Sequence, residues 1–366
     1  MFTRSPQVVR NMLLVSLLAV AAVGLAGCEP AGTMTGGMIR YEPELMFSLP
    51  AMCHQPDGAT LCDETGAIYL SCPNFNDPNY PAWMVKITPE NRLMPLCMLP
   101  VREDTGIVGP MGVDIGPDGN LYVADNQYFA DPKGKSRLLR VNMKDGRAVG
   151  VDVVVDGLKL ANAVIWRNGR VYVSDTFFDI EGEYGAGGIW CFTLDELNKG
   201  PVKVGDPTKD KHVMVKINAI EGRGTGNGGP DGLTFDEQGN LYTGNFGDGV
   251  LYKMTFHADR SLKSCDVFLK HPDLTCCDGI FYRKADRKIY IADSQKNSIK
   301  RVSLDGKLEN LWENSDTTGA GSMLDQPCEV LVRGRQLIVI DFDMPFPGLR
   351  NTAFDAPYTI HTIQLD

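Results

Sequence analysis

Six side chains occupy one recurring place in this sequence: Asp57, Met111, Asn162, Asp231, Asp278 and Glu329. Each opens a unit of the form seen from Asp231, "DGLTFDEQGNLYTGN", in which a short apolar run, a turn and a second apolar run lead to another acid or amide. Five of the six offer oxygen ligands, and four of those are formally anionic. Gathered in a partly desolvated place, such carboxylates repel one another unless a cation neutralises them. Oxygen donors with no histidine or cysteine among them suit Ca2+, with Mg2+ or another divalent cation as the alternative. A carboxylate in such a setting can serve as general base on a water, or attack an acyl carbon itself. The bland reading of any one position is a turn cap, its oxygen accepting a neighbouring backbone N–H.

What must position these residues is a repeat. The units are "DGATLCDETGAIYLSC" from Asp57, "MGVDIGPDGNLYVADN" from Met111, "NAVIWRNGRVYVSDT" from Asn162, the unit from Asp231, "DGIFYRKADRKIYIAD" from Asp278 and "EVLVRGRQLIVID" from Glu329. Their starts lie 54, 51, 69, 47 and 51 residues apart. A period near 50, with short apolar runs split by turns, is the mark of propeller blades. Each unit supplies four strands; in the fourth, "LTF" and "NLYTG" are joined at "DEQG", where Gly239 permits a positive φ. The sixth unit is one strand short, and "RYEPELMFSLP" (residues 40–50) can supply it. The sequence thus predicts an all-β, six-bladed β-propeller with four antiparallel strands per blade, closed by strands from both termini and free of open edges. A seven-bladed ring is the alternative, because the third unit is long. Its excess, "DELNKGPVKVGDPTKDKH", reads as an inserted loop.

In a propeller the first strand of each blade lines the central channel. The six leading residues then share one rim with the connectors and the second hairpin of every blade. Asp57, Asn162 and Asp231 are the candidate metal ligands, and Asp231 is the candidate catalytic carboxylate. Met111, Asn126, Phe177, Phe246, Asp278 and Glu329 are candidates to line a small-molecule pocket above the ion, with Tyr128, Phe178, Phe342 and Phe346 as further aromatic walls. Asp125, Asp175, Asp293 and Asp341 close second strands and read as supports for the hairpins. His271 reads as a solvated loop histidine, with a role as base the alternative.

The N-terminus carries a different message. Arg4 and Arg10 precede the apolar run "MLLVSLLAVAAVGLAG" and then Cys28, the pattern of an export signal. Leu25-Ala26-Gly27-Cys28 resembles a bacterial lipobox, which makes Cys28 the expected lipidation site. The expected organisation is a leader over 1–27, a tether over 28–39 and a single propeller domain over 40–366, exported and lipid-anchored to the bacterial cell envelope. The formal charge of −10 becomes −12 once Arg4 and Arg10 leave with the leader. An acidic chain without basic clusters excludes a nucleic-acid partner and limits membrane contact to the lipid. Nothing in the sequence speaks to oligomeric state. Nine further cysteines in an exported chain favour disulfides, of unknown pairing, with Cys276-Cys277 a candidate vicinal bridge.

"GPDGLTFDEQGNLYTGNFGDGVLYKM" resembles the SMP-30/gluconolactonase/LRE-like family of six-bladed propellers, to which the paraoxonases and diisopropyl-fluorophosphatase have related folds. The resemblance spans about residues 50 to 345. It implies a Ca2+-dependent hydrolase, often of lactones, whose metal is held by a Glu, one or two Asn and an Asp. Asp231 matches the family's Asp in "PDG", and Asn162 its Asn leading the third blade. Asp57 stands where the family has a longer Glu. Met111 stands where the family has a polar residue facing substrate, so a sugar hydroxyl finds no strong partner there. The implied mechanism is metal polarisation of an ester or lactone carbonyl, with Asp231 as base or nucleophile. A ligand-binding or scaffold propeller with a structural metal is the rival reading, because a fold does not fix a function. An enzyme of another class using the same pocket is a third.

Overall fold

Second strands set the character of the chain. Runs such as Lys288–Asp293 and Gln336–Asp341 are buried at every residue after the first, because each lies in a sheet packed between two neighbours. Outer strands such as Leu262–Leu269 expose part of their surface and mix polar with apolar side chains. Turns carry the residues that left-handed backbone demands, as at Gly239 (φ +83°).

The computed structural model describes residues 41–77 and 79–366. They form six antiparallel sheets arranged as a six-bladed propeller, over 59–98, 110–158, 161–218, 230–269, 280–313 and 327–364. The sixth sheet is completed by Pro43–Ser48, which pairs antiparallel with Thr359–Gln364 and places Pro43 opposite Ile363. An N-terminal strand therefore closes the ring, as the sequence predicts. The apolar core lies between successive blades.

The long third unit does not make a seventh blade. Its insertion holds a one-turn helix, Leu194–Leu197, started by a reciprocal capping box between Thr193 and Glu196. It then returns to the second blade, where Val202–Lys203 pairs parallel with Arg147–Leu158 as a fifth strand. Four strands per blade is thus corrected to five in that one sheet.

The nine described cysteines are free thiols, so the expected bridges are absent. Most are dispersed among blades: Cys97, Cys191 and Cys265 lie on strands of three different sheets. Cys53 and Cys72 are both buried, and each shifts the ionisation of the other's thiol. The leader, Cys28 and the tether lie outside the described residues. Among the described residues no helix is long and apolar enough to cross a membrane.

Candidate functional site

The leading residues owe their convergence to glycine. Asp57, Met111, Asp231 and Asp278 are each followed by Gly, and neighbouring first strands touch there. A Cβ at Gly58 would lie 2.4 Å from Gly112 Cα, at Gly232 2.4 Å from Asp278 O, and at Gly279 2.3 Å from Glu329 Oε1. No side chain fits those gaps. Backbone bonds cross the same joints, from Gly232 N–H to Asp278 O (3.2 Å) and from Gly279 N–H to Cys328 O (2.6 Å). A second set of ties comes from hydroxyls that the sequence reading missed. Ser71 donates to Met111 O (2.6 Å), Thr176 to Pro230 O (3.0 Å) and Ser294 to Pro327 O (2.6 Å), each reaching the next blade's first strand. Their signal was present, as "YLSC", "VSDT" and "IADS" all end a second strand with a hydroxyl nearby.

This packing brings Asn162 and Asp231 together, with Asn162 Nδ2 donating to Asp231 Oδ2 at 2.7 Å. Asp57 and Asp231 are buried, while Asn162, Asp278 and Glu329 keep some accessible surface. The carboxyls of Asp57, Asp231, Asp278 and Glu329 feel one another. Burial, then the charges of Asp278, Asp57 and Glu329, push the Asp231 carboxyl well above the usual carboxylate range. Burial lifts Asp57 to about 7, and burial with Asp57 raises Asp278. Glu329 is raised by burial and, more weakly, by Asp57 and Asp278. Two of the four are also tied to neighbouring donors. Asp278 accepts Ser294 Oγ at 2.8 Å, and Glu329 caps its own strand by accepting Val330 N–H at 2.8 Å. The capping reading therefore holds for Glu329, which accepts the N–H of the next residue. Asp231 differs, since Asn162 is its one hydrogen-bond partner among the described residues.

An oxygen-lined ring short of positive charge is chemically suited to a hard cation. Asn162 fits as a ligand, because spending Nδ2 on Asp231 leaves its Oδ1 for a metal. The carboxylate oxygens of the ring are not all within 4.8 Å of one another; the triad that meets that spacing among the described residues lies elsewhere.

Above the ring, the aromatic side chains form a cap. Phe75 of the first blade meets Phe129 of the second (5.5 Å between ring centres), Phe129 meets Phe346 (6.1 Å), and Phe346 meets Phe246 of the fourth (6.2 Å). Phe346 belongs to the loop 342–358 of the sixth blade, so this loop spans the mouth of the channel. The same loop touches the fifth blade, where Gln295 donates to Gly348 O (3.2 Å). Met111 is buried in the apolar group against which Phe75, Phe129 and Phe346 pack. Phe177 stacks on Tyr128 at 5.3 Å, beside this run of rings rather than within it. Asn126 is fully buried; its Oδ1 accepts Tyr128 N–H, while Nδ2 has no protein partner. On the other side of the ring a cavity of about 380 Å³ runs between the first strands, from Glu329 to Asp63 and Arg167.

The acids closing second strands support the hairpins. Asp125 accepts Gly109 N–H and pairs with Arg137 (2.6 Å). Asp175 holds Lys159 and Leu160 N–H and Trp190 Nε1. Asp341 holds Thr359 and His361, and Asp293 lies 3.4 Å from Lys300. His271 sits in an exposed turn beside Asp273.

The sequence model of the SMP-30/Gluconolactonase/LRE-like region matches residues 112–277, the second to fourth blades. No curated protein sequence matches the chain. Among solved structures, a gluconolactonase from Xanthomonas campestris is 12% identical, with 96% of this chain and 99% of that one covered and a TM-score of 0.55. The calcium-binding protein regucalcin from Agrobacterium tumefaciens is 13% identical, covering 89% and 96%, with a TM-score of 0.55. A PQQ-bound aldose sugar dehydrogenase from Streptomyces coelicolor is equally near, at 13% identity, 89% and 98% coverage and a TM-score of 0.57. At such identities likeness establishes the fold alone, and a dehydrogenase shares it. In sequence, the chain is similar to the SMP-30/Gluconolactonase/LRE-like region through the three blades that carry Met111's neighbour Gly112, Asn162 and Asp231.

Proposed function

We propose that the chain is a calcium-dependent hydrolase of lactones or related esters and a member of the SMP-30/gluconolactonase/LRE-like family. The observation that carries this reading is the Asn162–Asp231 pair (2.7 Å) inside a ring of buried and half-buried carboxylates that lacks a positive partner. Asp57, Asn162 and Asp231 would hold the ion, with Asp278 and Glu329 adding negative charge nearby. When bound, the ion polarises the carbonyl oxygen of the substrate and offsets the charge that develops on it.

The chain's own residues do the remainder. Asn162 fixes the Asp231 carboxylate by donating to Oδ2, so that the other oxygen is free to take a proton from water or to attack the acyl carbon. The cap of Phe75, Phe129, Phe346 and Phe246 keeps bulk water from the ring and offers an apolar wall to the substrate. Met111 adds to that wall and favours an apolar acyl or lactone ring over a polyhydroxylated one. Asn126 Nδ2, buried without a partner, is the polar group available to orient a substrate oxygen.

The test is turnover of simple lactones and aryl esters with calcium and after EGTA, for the wild-type chain and Asp231→Asn. Loss of activity in both arms is expected. An Asp231→Asn chain that stays folded, binds calcium and hydrolyses as fast as wild type would remove Asp231 from the chemistry. The burial of Asp231 (4% exposed) under the cap favours a second reading, a ligand-binding propeller with a structural ion; ligand binding without turnover would select it. In either reading the chain is exported and tethered to the bacterial envelope through a lipid on Cys28. Cys28→Ala would then move it from the membrane fraction to the soluble one.

A further inference from the structure

Away from the ring, the sixth blade carries a second oxygen cluster. Asp325 stands just before the strand Pro327–Arg333, Asp343 just after Gln336–Asp341, and Asp355 shortly before Thr359–Gln364. One carboxylate oxygen from each lies within 4.8 Å of the other two. Asp325 is 1% exposed, and neither of its carboxylate oxygens has a hydrogen-bond partner. Asp355 Oδ1 is likewise buried and unpartnered. Asp343 is held in place, with Oδ1 accepting Asn351 Nδ2 (3.0 Å) and Oδ2 accepting Asp355 N–H (2.9 Å).

Nothing positive compensates this triad. None of the three acids is ion-paired to Lys or Arg among the described residues, and the charges acting on Asp325 are those of Asp343, Asp341, Asp355 and Asp316. His361, on the same blade, is spent on Asp341 at 2.7 Å. Three converging carboxylates without counter-charge, with both Asp325 oxygens and Asp355 Oδ1 buried and lacking donors, are costly, whereas one ion bridging them turns the same geometry into ligation. Carboxylate oxygens alone suit a hard divalent cation.

We propose that Asp325, Asp343 and Asp355 bind a divalent cation of the calcium type that fastens the two ends of loop 342–358. Asp343 and Asp355 bracket the loop, and Asp325 ties both to the connector that leads into the same blade. Gln326, the next residue, already pins the loop's start by accepting Phe342 N–H at its backbone oxygen (2.9 Å) and Met344 N–H at its side chain. The loop carries Phe346 to Phe129 and Phe246, so the ion sets whether the channel mouth is covered. This site is separate from the ring and stands whether or not the chain is a hydrolase.

The experiment is calcium stoichiometry by equilibrium dialysis on the EGTA-stripped full chain, together with amide hydrogen exchange of the peptide covering 342–358 with and without calcium. Asp325→Asn/Asp343→Asn should bind one ion fewer than wild type, and Asp231→Asn should keep this ion. In wild type calcium should slow exchange across 342–358, and the double variant should lose that protection. Removing buried charges should leave its fold intact in EGTA, and the exchange arm on wild type needs no variant at all. A double variant that binds as much calcium as wild type, or a loop whose exchange ignores calcium, overturns the proposal, the carboxyls then being protonated partners of one another.

Discussion

Asn162 Nδ2 and Asp231 Oδ2 are 2.7 Å apart although 69 residues separate them in the chain. The contact joins the first strands of the third and fourth blades, and it gives Asp231 its one protein donor among the described residues. Groups that act as a unit show strongly non-additive losses. Asp231→Ala should lower kcat/KM for a lactone or aryl ester by about 10²–10⁴, the usual worth of a positioned base. Asn162→Ala should lower it less, and the double variant should be no worse than Asp231→Ala. Losses that multiply would mean that Asn162 works independently of Asp231.

The ring contacts of Phe346 lead to a second expectation. Phe346 is half-buried and touches rings of the second and fourth blades at 6.1 and 6.2 Å. Phe346→Ala should cost about 1–2 kcal/mol of stability, allowing for lost ring pairs and partial burial. It should also widen the mouth, so that kcat/KM for a bulky aryl ester rises relative to that for a small lactone. An unchanged ratio would show that substrate does not pass the cap.

The architecture was legible in the sequence because it is periodic. Six leading residues, a strand count of four and a spare strand over 40–50 are properties of local pattern, and the sheets follow them. The convergence of Asp57, Asn162, Asp231, Asp278 and Glu329 was legible for the same reason, since symmetry converts position in a repeat into position in space. What breaks the repeat was not legible. Loop 342–358 has no counterpart in other units, so the reach of Phe346 to Phe129 and Phe246 had no signal beyond its aromatic content. The triad of Asp325, Asp343 and Asp355 follows no metal-loop spacing; it exists because an aperiodic loop folds back on its own blade. The parallel strand Val202–Lys203 is two residues long, too short for any pattern to reveal.

Glycine after the leading residue gives a stability test free of any functional assumption. A methyl at Gly58 would stand 2.4 Å from Gly112 Cα and 2.6 Å from Met111 O, both backbone atoms of the next blade that cannot swing away. At Gly239 nothing lies within 4 Å, and the penalty is the positive φ of +83° alone. Gly58→Ala should therefore cost about 3 kcal/mol, the upper range for overpacking, and Gly239→Ala about 1 kcal/mol. Denaturant midpoints at constant m-value measure both. Equal losses would mean that the first strands are not in contact at the rim.

Buried acids make the metal-free protein sensitive to pH in a definite direction. Burial lifts Asp57 to about 7, and Asp114 and Asp175 to about 6, whereas an unfolded Asp releases its proton near pH ~3.9. Between those values the folded chain binds more protons than the unfolded one, so stability falls as pH rises and is lost progressively through about 6 and 7. In EGTA the Tm should accordingly be higher at about pH 5.5 than at about pH 7.5. Calcium at the higher pH should recover much of the difference, because an ion then supplies the positive charge that protons supply at the lower one. Asp114 and Asp175 lie outside the candidate ligand sets, so part of the slope should persist with calcium. A Tm in EGTA that is flat or rises over this interval would show that the leading carboxylates are not mutually buried, and with it the case for a cation at the ring would be gone.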